Sequence, residues 1–240
     1  MSINGVDRYG FVETNAVDNI TPVNTAIDNK NSKTIIEKII KRIIDIVGGL
    51  VGTIVLIPLT IIIYIIRKFL HEDEGPLFYN QLRIGKDGKV FRMYKYRSMV
   101  VGADEKLFKY LEENEEARKE YKEYKKLKND PRITKVGNFI RKTSLDEFPQ
   151  FINVLKGDMS LVGPRPYLPR EKDDMGEYYE YIIQARPGIT GYWQIAGRSE
   201  VTFDDRLKMD YDYIKNSSLK TDIKILVKTV LNVIKKEGAA

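Results

Sequence analysis

The sequence predicts an α+β, mostly helical protein, with a re-entrant membrane helix broken by a proline ahead of a small cytoplasmic domain. We expect that domain to contain a β-hairpin and interfacial amphipathic helices. Residues 46–66 carry no charge, and two short alternating runs flank a turn at residues 85–88. Several later stretches have helical spacing. The predicted parts are a mobile polar tail (1–34), an interfacial and re-entrant membrane helix (35–70) and a cytoplasmic domain (71–240).

The composition limits the kinds of catalytic site that this protein can contain. The 240 residues include no cysteine and a single histidine, His71, with 42% hydrophobic and 31% charged residues. This excludes disulfides, a cysteine nucleophile and a multi-histidine zinc centre, so carboxylates must carry any acid–base work. The net charge of +6 suits anionic lipid, a phosphate-bearing substrate or nucleic acid, and it does not distinguish between them.

The N-terminal 34 residues are rich in Asn, Asp, Thr and Ser and show no sustained periodicity. We interpret them as a mobile tail. A basic region followed directly by an apolar core and a small-residue cleavage site is not recognisable there, so we expect no cleaved signal peptide.

The apolar segment 46–66 is long enough to cross a hydrocarbon core of about 30 Å as a straight helix. A single-pass anchor is therefore one interpretation. Pro58 favours another, because it removes a backbone hydrogen bond and kinks the helix. The carbonyl that it frees, near Ile54, would then need a partner such as Thr53. Basic residues flank both ends of the segment, which places both on the cytoplasmic side and favours a re-entrant helix: Lys38, Lys41 and Arg42 before it, and Arg67 and Lys68 after it.

The remaining elements follow in order. Asp87-Gly88 marks a hairpin turn. Residues 104–128 are almost all charged or aromatic and predict one solvated helix. An acidic, tyrosine-rich stretch (171–181) also predicts helix, and residues 186–199 predict loop and a short strand. The end of the chain, from residue 219, predicts an amphipathic helix that packs on the domain or touches lipid.

An adjacent acidic pair, Asp146-Glu147, is the strongest candidate for chemistry. Two neighbouring carboxylates among cations suit phosphate chemistry, because one can attack or bind a metal while the other moves a proton. Arg141 lies five residues before Asp146 and could hold a phosphate bidentately. Arg165 lies between two prolines, whose stiff backbone would aim its guanidinium; a loop arginine paired with a surface acid is the alternative.

The same pair has a structural alternative. Ser144 and Glu147 have the spacing of a helix capping box. Pro149 counts against it, because a helix capped by Ser144 would require an N–H at that position. A helix that starts at Asp146 removes the conflict and places this carboxylate at the positive end of the helix dipole.

Further candidate site residues lie before and after the acidic pair in the sequence. Lys95 projects from a predicted strand edge, with a plain surface lysine as the alternative. Trp193, Gln194 and Arg198 lie on a glycine-rich loop and could stack on a nucleobase and bond its edge, although packing of the tryptophan is the commoner explanation. The sequence contains neither a P-loop nor a dinucleotide fingerprint, so ATP hydrolysis and NAD chemistry have no support.

Four blocks closely resemble the bacterial sugar transferase family, whose members are monotopic phosphoglycosyl transferases. The resemblance runs from about Ile39 to Lys235. In chain order the blocks are KRIID with Pro58 downstream, GPLFYNQLRIGKDGKVFRMYKYRSM, SLDEFPQFINVLKGDMSLVGPRP and RPGITGYWQIAGRS. It implies transfer of a sugar 1-phosphate from a UDP-sugar to undecaprenyl phosphate, with release of UMP and with Mg²⁺, as the first membrane step of capsule, exopolysaccharide or O-antigen synthesis.

The resemblance also implies roles for residues. Asp146 would be the nucleophile, forming a covalent phosphosugar intermediate beside Mg²⁺, and Glu147 the base toward the polyprenyl phosphate. Lys95 and Arg141 match residues near the phosphate, and Pro58 matches the proline that breaks the membrane helix. The location implied is the inner membrane, with the catalytic domain on its cytoplasmic face. The partners implied are the donor, the lipid acceptor and membrane lipid, and we leave a homodimer open.

The chain departs from the family at Ile57, where many small members have serine, so Thr53 or Thr60 would have to cap the helix break. The run Trp193-Gln194-Ile195 before Gly197 looks more like the hexose 1-phosphate transferases, which suggests a glucose or galactose donor. Two competitors remain: a membrane-anchored, metal-dependent phosphohydrolase and an anchored nucleic-acid or polymer-binding module. The acidic pair argues against nucleic acid as a partner, because it would repel a polyanion.

Overall fold

The computed structural model describes residues 35–70, 75–196 and 201–235. The predicted tail (1–34), His71 and Arg198 lie outside the described residues. Of the described helices, one is long and apolar enough to cross a membrane by length and composition.

That helix, α1, runs from Ile35 to Phe69, about 52 Å at 1.5 Å per residue. It was predicted as two parts, an interfacial stretch and a broken membrane segment. Instead it continues through Pro58 as one helix, and its re-entrant course stays a prediction. The hydroxyl of Thr53 donates to the carbonyl of Gly49 at 2.8 Å rather than to Ile54. Thr60 donates to Leu56 at 2.7 Å.

One face of α1 packs along the rest of the protein. Its glycines let the backbone approach closely, because a Cβ at Gly49 would meet Leu155 at 2.9 Å and a Cβ at Gly52 would overlap the ring of Phe151. Further along, Leu56 and Ile63 are buried in a cluster of hydrophobic residues. The opposite face leaves large apolar side chains exposed along most of the helix.

Polar contacts fix the first half of α1. Lys41 donates to the carbonyl of Val162 at 2.9 Å and pairs with Asp222 at 2.7 Å. The buried carboxylate of Asp45 accepts from the hydroxyl of Ser160 at 2.9 Å and from a backbone N–H at 2.8 Å. Because a buried charge is stable only when it is well paired, these contacts hold the helix in one register.

The predicted hairpin is confirmed. Strands β1 (Phe78–Ile84) and β2 (Val90–Tyr96) pair antiparallel, and Asp87 adopts φ 57° in the turn. This left-handed conformation is one that Asp tolerates better than most residues.

The single helix predicted for residues 104–128 is wrong. The chain forms α2 (Ala103–Glu113) and α3 (Glu115–Tyr124). The break lies at Asn114, whose side chain accepts from the N–H of Ala117 at 2.9 Å and so caps the second helix. Helices α4 (Lys135–Lys142) and α5 (Gln150–Lys156) follow.

The last part of the chain includes a short pair of parallel strands. Strands β3 (Ser160–Val162) and β4 (Gly188–Thr190) are paired. The stretch predicted as helix (171–181) is instead a series of 3₁₀ turns that ends in a one-turn helix, α6 (Tyr179–Ile182). Three helices complete the fold: α7 (Tyr192–Ile195), α8 (Phe203–Asn216) and the predicted amphipathic helix α9 (Leu219–Lys235).

Candidate active site

The acidic pair lies in a tight turn between α4 and α5. Residues Leu145–Glu147 form a single 3₁₀ turn, and the α-helix begins only at Gln150, directly after Pro149. The prediction that an α-helix starts at Asp146 is therefore wrong. The capping box is wrong too, because Ser144 has φ 56° and its side chain makes no capping bond. In place of both, the acidic pair forms a 3₁₀ turn, and the regular helix begins only after Pro149.

Asp146 is buried, and Lys95 from β2 lies beside it. The Nζ of Lys95 is 3.8 Å from Oδ2 of Asp146 and 3.3 Å from Oε1 of Glu147. Burial is the largest influence on the carboxyl of Asp146 and raises its pKa; Lys95 opposes this, Glu147 adds to it, and Arg141 opposes it. A partly desolvated carboxylate beside a single ammonium is a stronger nucleophile than a solvated one.

A shallow cleft, with about 30 Å³ of enclosed space, opens beside this turn. Its walls include the predicted residues Lys95, Glu147, Arg165, Trp193 and Gln194. The hairpin, the start of α5, the Arg165 loop, β4 and α7 each contribute to it. Arg141, at the end of α4, is not in the lining and acts on Asp146 through its charge.

Trp193 lies on the one-turn helix α7, where sequence reasoning expected a loop. The guanidinium of Arg165 is 5.1 Å from the centre of its ring, and that of Arg206 is 5.4 Å away. Both are cation–π contacts. The tryptophan thus holds two arginines next to the cleft, and its predicted stacking on a nucleobase stays a prediction.

Hydrogen bonds to buried side chains hold the loop that carries Arg165 in place. The buried carboxylate of Asp210 accepts from the backbone N–H of Arg165 at 2.9 Å and from the hydroxyl of Tyr167 at 2.8 Å. Nη1 of Arg83 donates to the carbonyl of Pro166 at 2.9 Å. The two prolines and these bonds leave the loop little freedom to move.

Sequence reasoning missed four residues of this site: Arg83, Gln150, Arg206 and Asp210. Gln150 could have been found from the sequence, because it follows Glu147 by three residues. At helical spacing, two residues three apart lie on the same side of the chain. The others could not, because only tertiary structure brings β1 and α8 next to the Arg165 loop.

The donor set can be compared with the needs of Mg²⁺. Among the described residues no three acidic or histidine side chains come together to hold a metal ion. Mg²⁺ is commonly held by one or two carboxylates together with substrate phosphates. Glu147 lines the cleft and Asp146 is its buried neighbour in the same turn, so these two carboxylates fit a magnesium ion that arrives with a phosphorylated substrate.

Comparison with known proteins identifies a family for this chain. Residues 36–236 match the family described as "Bacterial sugar transferase". The chain is 48% identical over 202 residues to an undecaprenyl-phosphate galactose phosphotransferase of Salmonella typhimurium, covering 84% of this chain and 42% of that protein. It is 38% identical to the exopolysaccharide production protein ExoY of Sinorhizobium fredii, covering 83% of this chain and 87% of that protein.

A third relative is a UDP-glucose:undecaprenyl-phosphate glucose-1-phosphate transferase of Escherichia coli, 37% identical, with 81% of this chain and 40% of that protein covered. The chain therefore spans less than half the length of several relatives that it matches. The family match covers most of the chain, including the membrane helix, the hairpin and the acidic turn. The chain belongs to the bacterial sugar transferase family.

Proposed function

We propose that this protein transfers a sugar 1-phosphate from a UDP-sugar to undecaprenyl phosphate and releases UMP. The observation that carries the proposal is the buried carboxylate of Asp146, 3.8 Å from Lys95. Its neighbour Glu147 lines the polar cleft, and Leu145 and Phe148, on either side of the acidic pair, pack against the apolar cluster of α1. A soluble nucleotide suits the cleft, and a lipid suits the side of the apolar cluster.

In the proposed reaction, an oxygen of Asp146 attacks the phosphorus that bears the sugar, and the bond to the UMP oxygen breaks. The phosphosugar is then held on Asp146 as an acyl phosphate. Glu147 takes the proton of the polyprenyl phosphate, whose oxygen attacks the same phosphorus and frees Asp146. Lys95 and Arg141 offset the charge that develops. Mg²⁺, held by Asp146 and Glu147 with the donor phosphates, would supply further positive charge to the leaving group.

The packing of α1 supports a location on one face of the membrane. Contacts with the rest of the protein extend from Lys41, which bonds Val162, to Arg67, which donates to the carbonyl of Gly75 at 3.0 Å. That stretch measures about 40 Å along the helix. A helix that crossed the bilayer would draw the polar surface beside it into hydrocarbon, at a large cost. We therefore propose a re-entrant helix and an active site on the cytoplasmic face of the inner membrane.

The relatives suggest a donor. Two of them are named for galactose or glucose transfer to undecaprenyl phosphate, and a third for exopolysaccharide production. We propose UDP-galactose or UDP-glucose as the donor, and the first membrane step of exopolysaccharide or capsule synthesis as the role.

A UMP-release assay tests the function. Full-length protein in bilayer nanodiscs is incubated with Mg²⁺, undecaprenyl phosphate and each of a panel of UDP-sugars. We expect continuous UMP release only in the presence of the lipid. Without the lipid, we expect a single turnover that releases one equivalent of UMP and leaves a phosphosugar on Asp146. Asp146→Asn should lower turnover by at least a thousandfold. Steady UMP release without lipid would instead indicate a phosphohydrolase, and unchanged turnover in Asp146→Asn would exclude the nucleophile.

A further inference from the structure

We propose that Arg83 and Gln150, which both line the cleft, bind the phosphate oxygens on the nucleotide side of the donor diphosphate. This inference rests on the proposed function and adds two binding residues to it. Both the nucleotide donor and the lipid acceptor carry phosphate groups. We assign the phosphate bound by these two residues to a nucleoside diphosphate.

Unpartnered N–H groups are the first argument. Within the part of the chain that the structure describes, four buried side-chain nitrogens beside this cleft lack a hydrogen-bond partner: Nε of Arg83, Nε2 of Gln150, Nε of Arg165 and Nε1 of Trp193. A buried donor without an acceptor costs about 1–3 kcal/mol. Each of these four donors would be completed by an acceptor atom on a bound ligand.

The charges around the cleft indicate that the ligand is an anion. Neither Arg83 nor Arg165 has a carboxylate within ion-pair distance among the described residues. Burial lowers the pKa of Arg83 to about 10, with Arg165 acting in the same direction, so the group still carries its charge at neutral pH. Glu171 opposes this fall in the pKa of Arg83 through its charge, without an ion pair. Two guanidinium groups that lack a directly paired carboxylate are stabilised by a bound anion.

Strand geometry places Arg83 and Lys95 on one face of the hairpin. Arg83 pairs with Phe91, and residues 91, 93 and 95 share one face of β2 because side chains alternate. Arg83 and Lys95 therefore lie on the same face, separated by four residues, or about 13 Å along the strand. Nη1 of Arg83 is held by Pro166 and Nη2 by Gln81, at 2.6 Å, which leaves Nε for a ligand. Arg83 and Lys95 thus line the same cleft from two points of one face of the hairpin, and their long side chains can converge on a diphosphate between them.

The walls of the cleft favour a soluble nucleotide over a lipid. None of the residues that line it belongs to α1. Leu145 and Phe148, on either side of the acidic pair, pack against the cluster that contains Leu56 and Ile63 of α1. The lipid phosphate therefore reaches Asp146 from the α1 side, and the cleft remains for the nucleotide.

Two substitutions at Gln150 test the inference. Gln150→Met keeps the length of the side chain and removes the donor, and Gln150→Glu places a carboxylate against the phosphate. Dissociation constants for UDP, UMP and inorganic phosphate are measured by calorimetry on full-length protein in nanodiscs with Mg²⁺, together with the KM for each substrate. We expect Gln150→Met to weaken UDP and UMP binding about tenfold, and Gln150→Glu to weaken it further. The KM for undecaprenyl phosphate should stay unchanged.

Gln184→Met is the matched control, because Gln184 is exposed and outside the cleft. Arg83→Gln should weaken UDP in the same way, and thermal melts show whether each variant folds. If folded Gln150→Met binds UDP like the wild type, while the wild type releases UMP, the inference fails and the proposed function stands. If the variants lose affinity for undecaprenyl phosphate rather than UDP, the assignment to the nucleotide is overturned. Absence of UMP release by the wild type with every donor would refute the proposed function itself.

Discussion

Replacing Lys95 with methionine should shift the pH dependence of the reaction. The proposed attack requires the ionised form of Asp146. Burial already raises the pKa of this carboxyl, while Lys95 opposes the rise. Methionine fills a similar volume without the positive charge. The pKa of Asp146 should therefore rise further, and activity should be lost at a higher pH as the solution is acidified.

The size of the shift follows from the distance. Two unit charges at about 4 Å interact by about 1 kcal/mol in water and by about 4 kcal/mol at the effective dielectric constant near a protein surface. The side chains of Lys95 and Asp146 are 26% and 12% exposed and their charged atoms are 3.8 Å apart, so the interaction falls between these limits. Since 1.36 kcal/mol corresponds to one pH unit, we expect the acid limb to move up by about one to two units.

The assay is kcat/KM for UMP release between pH 4.5 and 9. The rate should also fall at every pH, because Lys95 offsets charge in the transition state, but the position of the acid limb is an independent readout. Lys156→Met is the matched control: Lys156 pairs with a different carboxylate, Asp158, at 3.5 Å. An acid limb in Lys95→Met that coincides with the wild-type limb would refute this account of the pair.

Three further predictions concern stability and topology. Burial raises the pKa of Asp210 to about 7, so folding favours its protonated form. Its contribution to stability is complete below about pH 4 and is lost as the pH rises through 7, by up to roughly 4 kcal/mol; thermal melts of Asp210→Asn should lack this slope. Gly52→Val should destabilise the fold by about 1–3 kcal/mol in chemical denaturation, because its side chain overlaps Phe151. Cysteines introduced one at a time at Lys38 and Lys68, in a chain that has none, should both react with an impermeant thiol reagent only from the cytoplasmic side.

Each of these has an opposing outcome. A stability difference between pH 5 and pH 8 that persists in Asp210→Asn would assign the slope to another group. Gly48→Ala is the milder control for Gly52→Val, since its Cβ would meet the mobile end of the Leu161 side chain. Labelling of the two cysteines from opposite sides of the membrane would restore the single-pass anchor.

Local patterns predicted the parts of the fold that local physics determines. The hairpin follows from alternation around Asp87-Gly88, and α9 from its amphipathic spacing. Asn114 was also a local signal, because a capping side chain can divide a charged stretch into two helices. The parallel pairing of β3 with β4 could not be predicted, since it joins residues that are far apart in sequence and its strands are only three residues long.

The site was predicted in part for a similar reason. Asp146, Glu147 and Lys95 are brought together as expected, because the hairpin and the acidic turn pack directly on each other. The conformation of the turn was not predicted, because the regular helix begins only after Pro149 and side-chain spacing does not reveal this. The burial of Arg83 beside the cleft could not be predicted from the sequence, because an arginine in an alternating strand ordinarily faces solvent.

The lengthwise packing of α1 has a consequence for how the bilayer acts on this protein. Leu56 and Ile63 share one apolar cluster with Leu145 and Phe148, which bracket the reactive carboxylate. The proposed membrane helix and the proposed nucleophile thus share one packed core, so in the proposed arrangement the depth of α1 in the membrane sets the height of Asp146 above the acyl chains. We expect a version cut free of α1 to lose part of its own core rather than become a soluble enzyme.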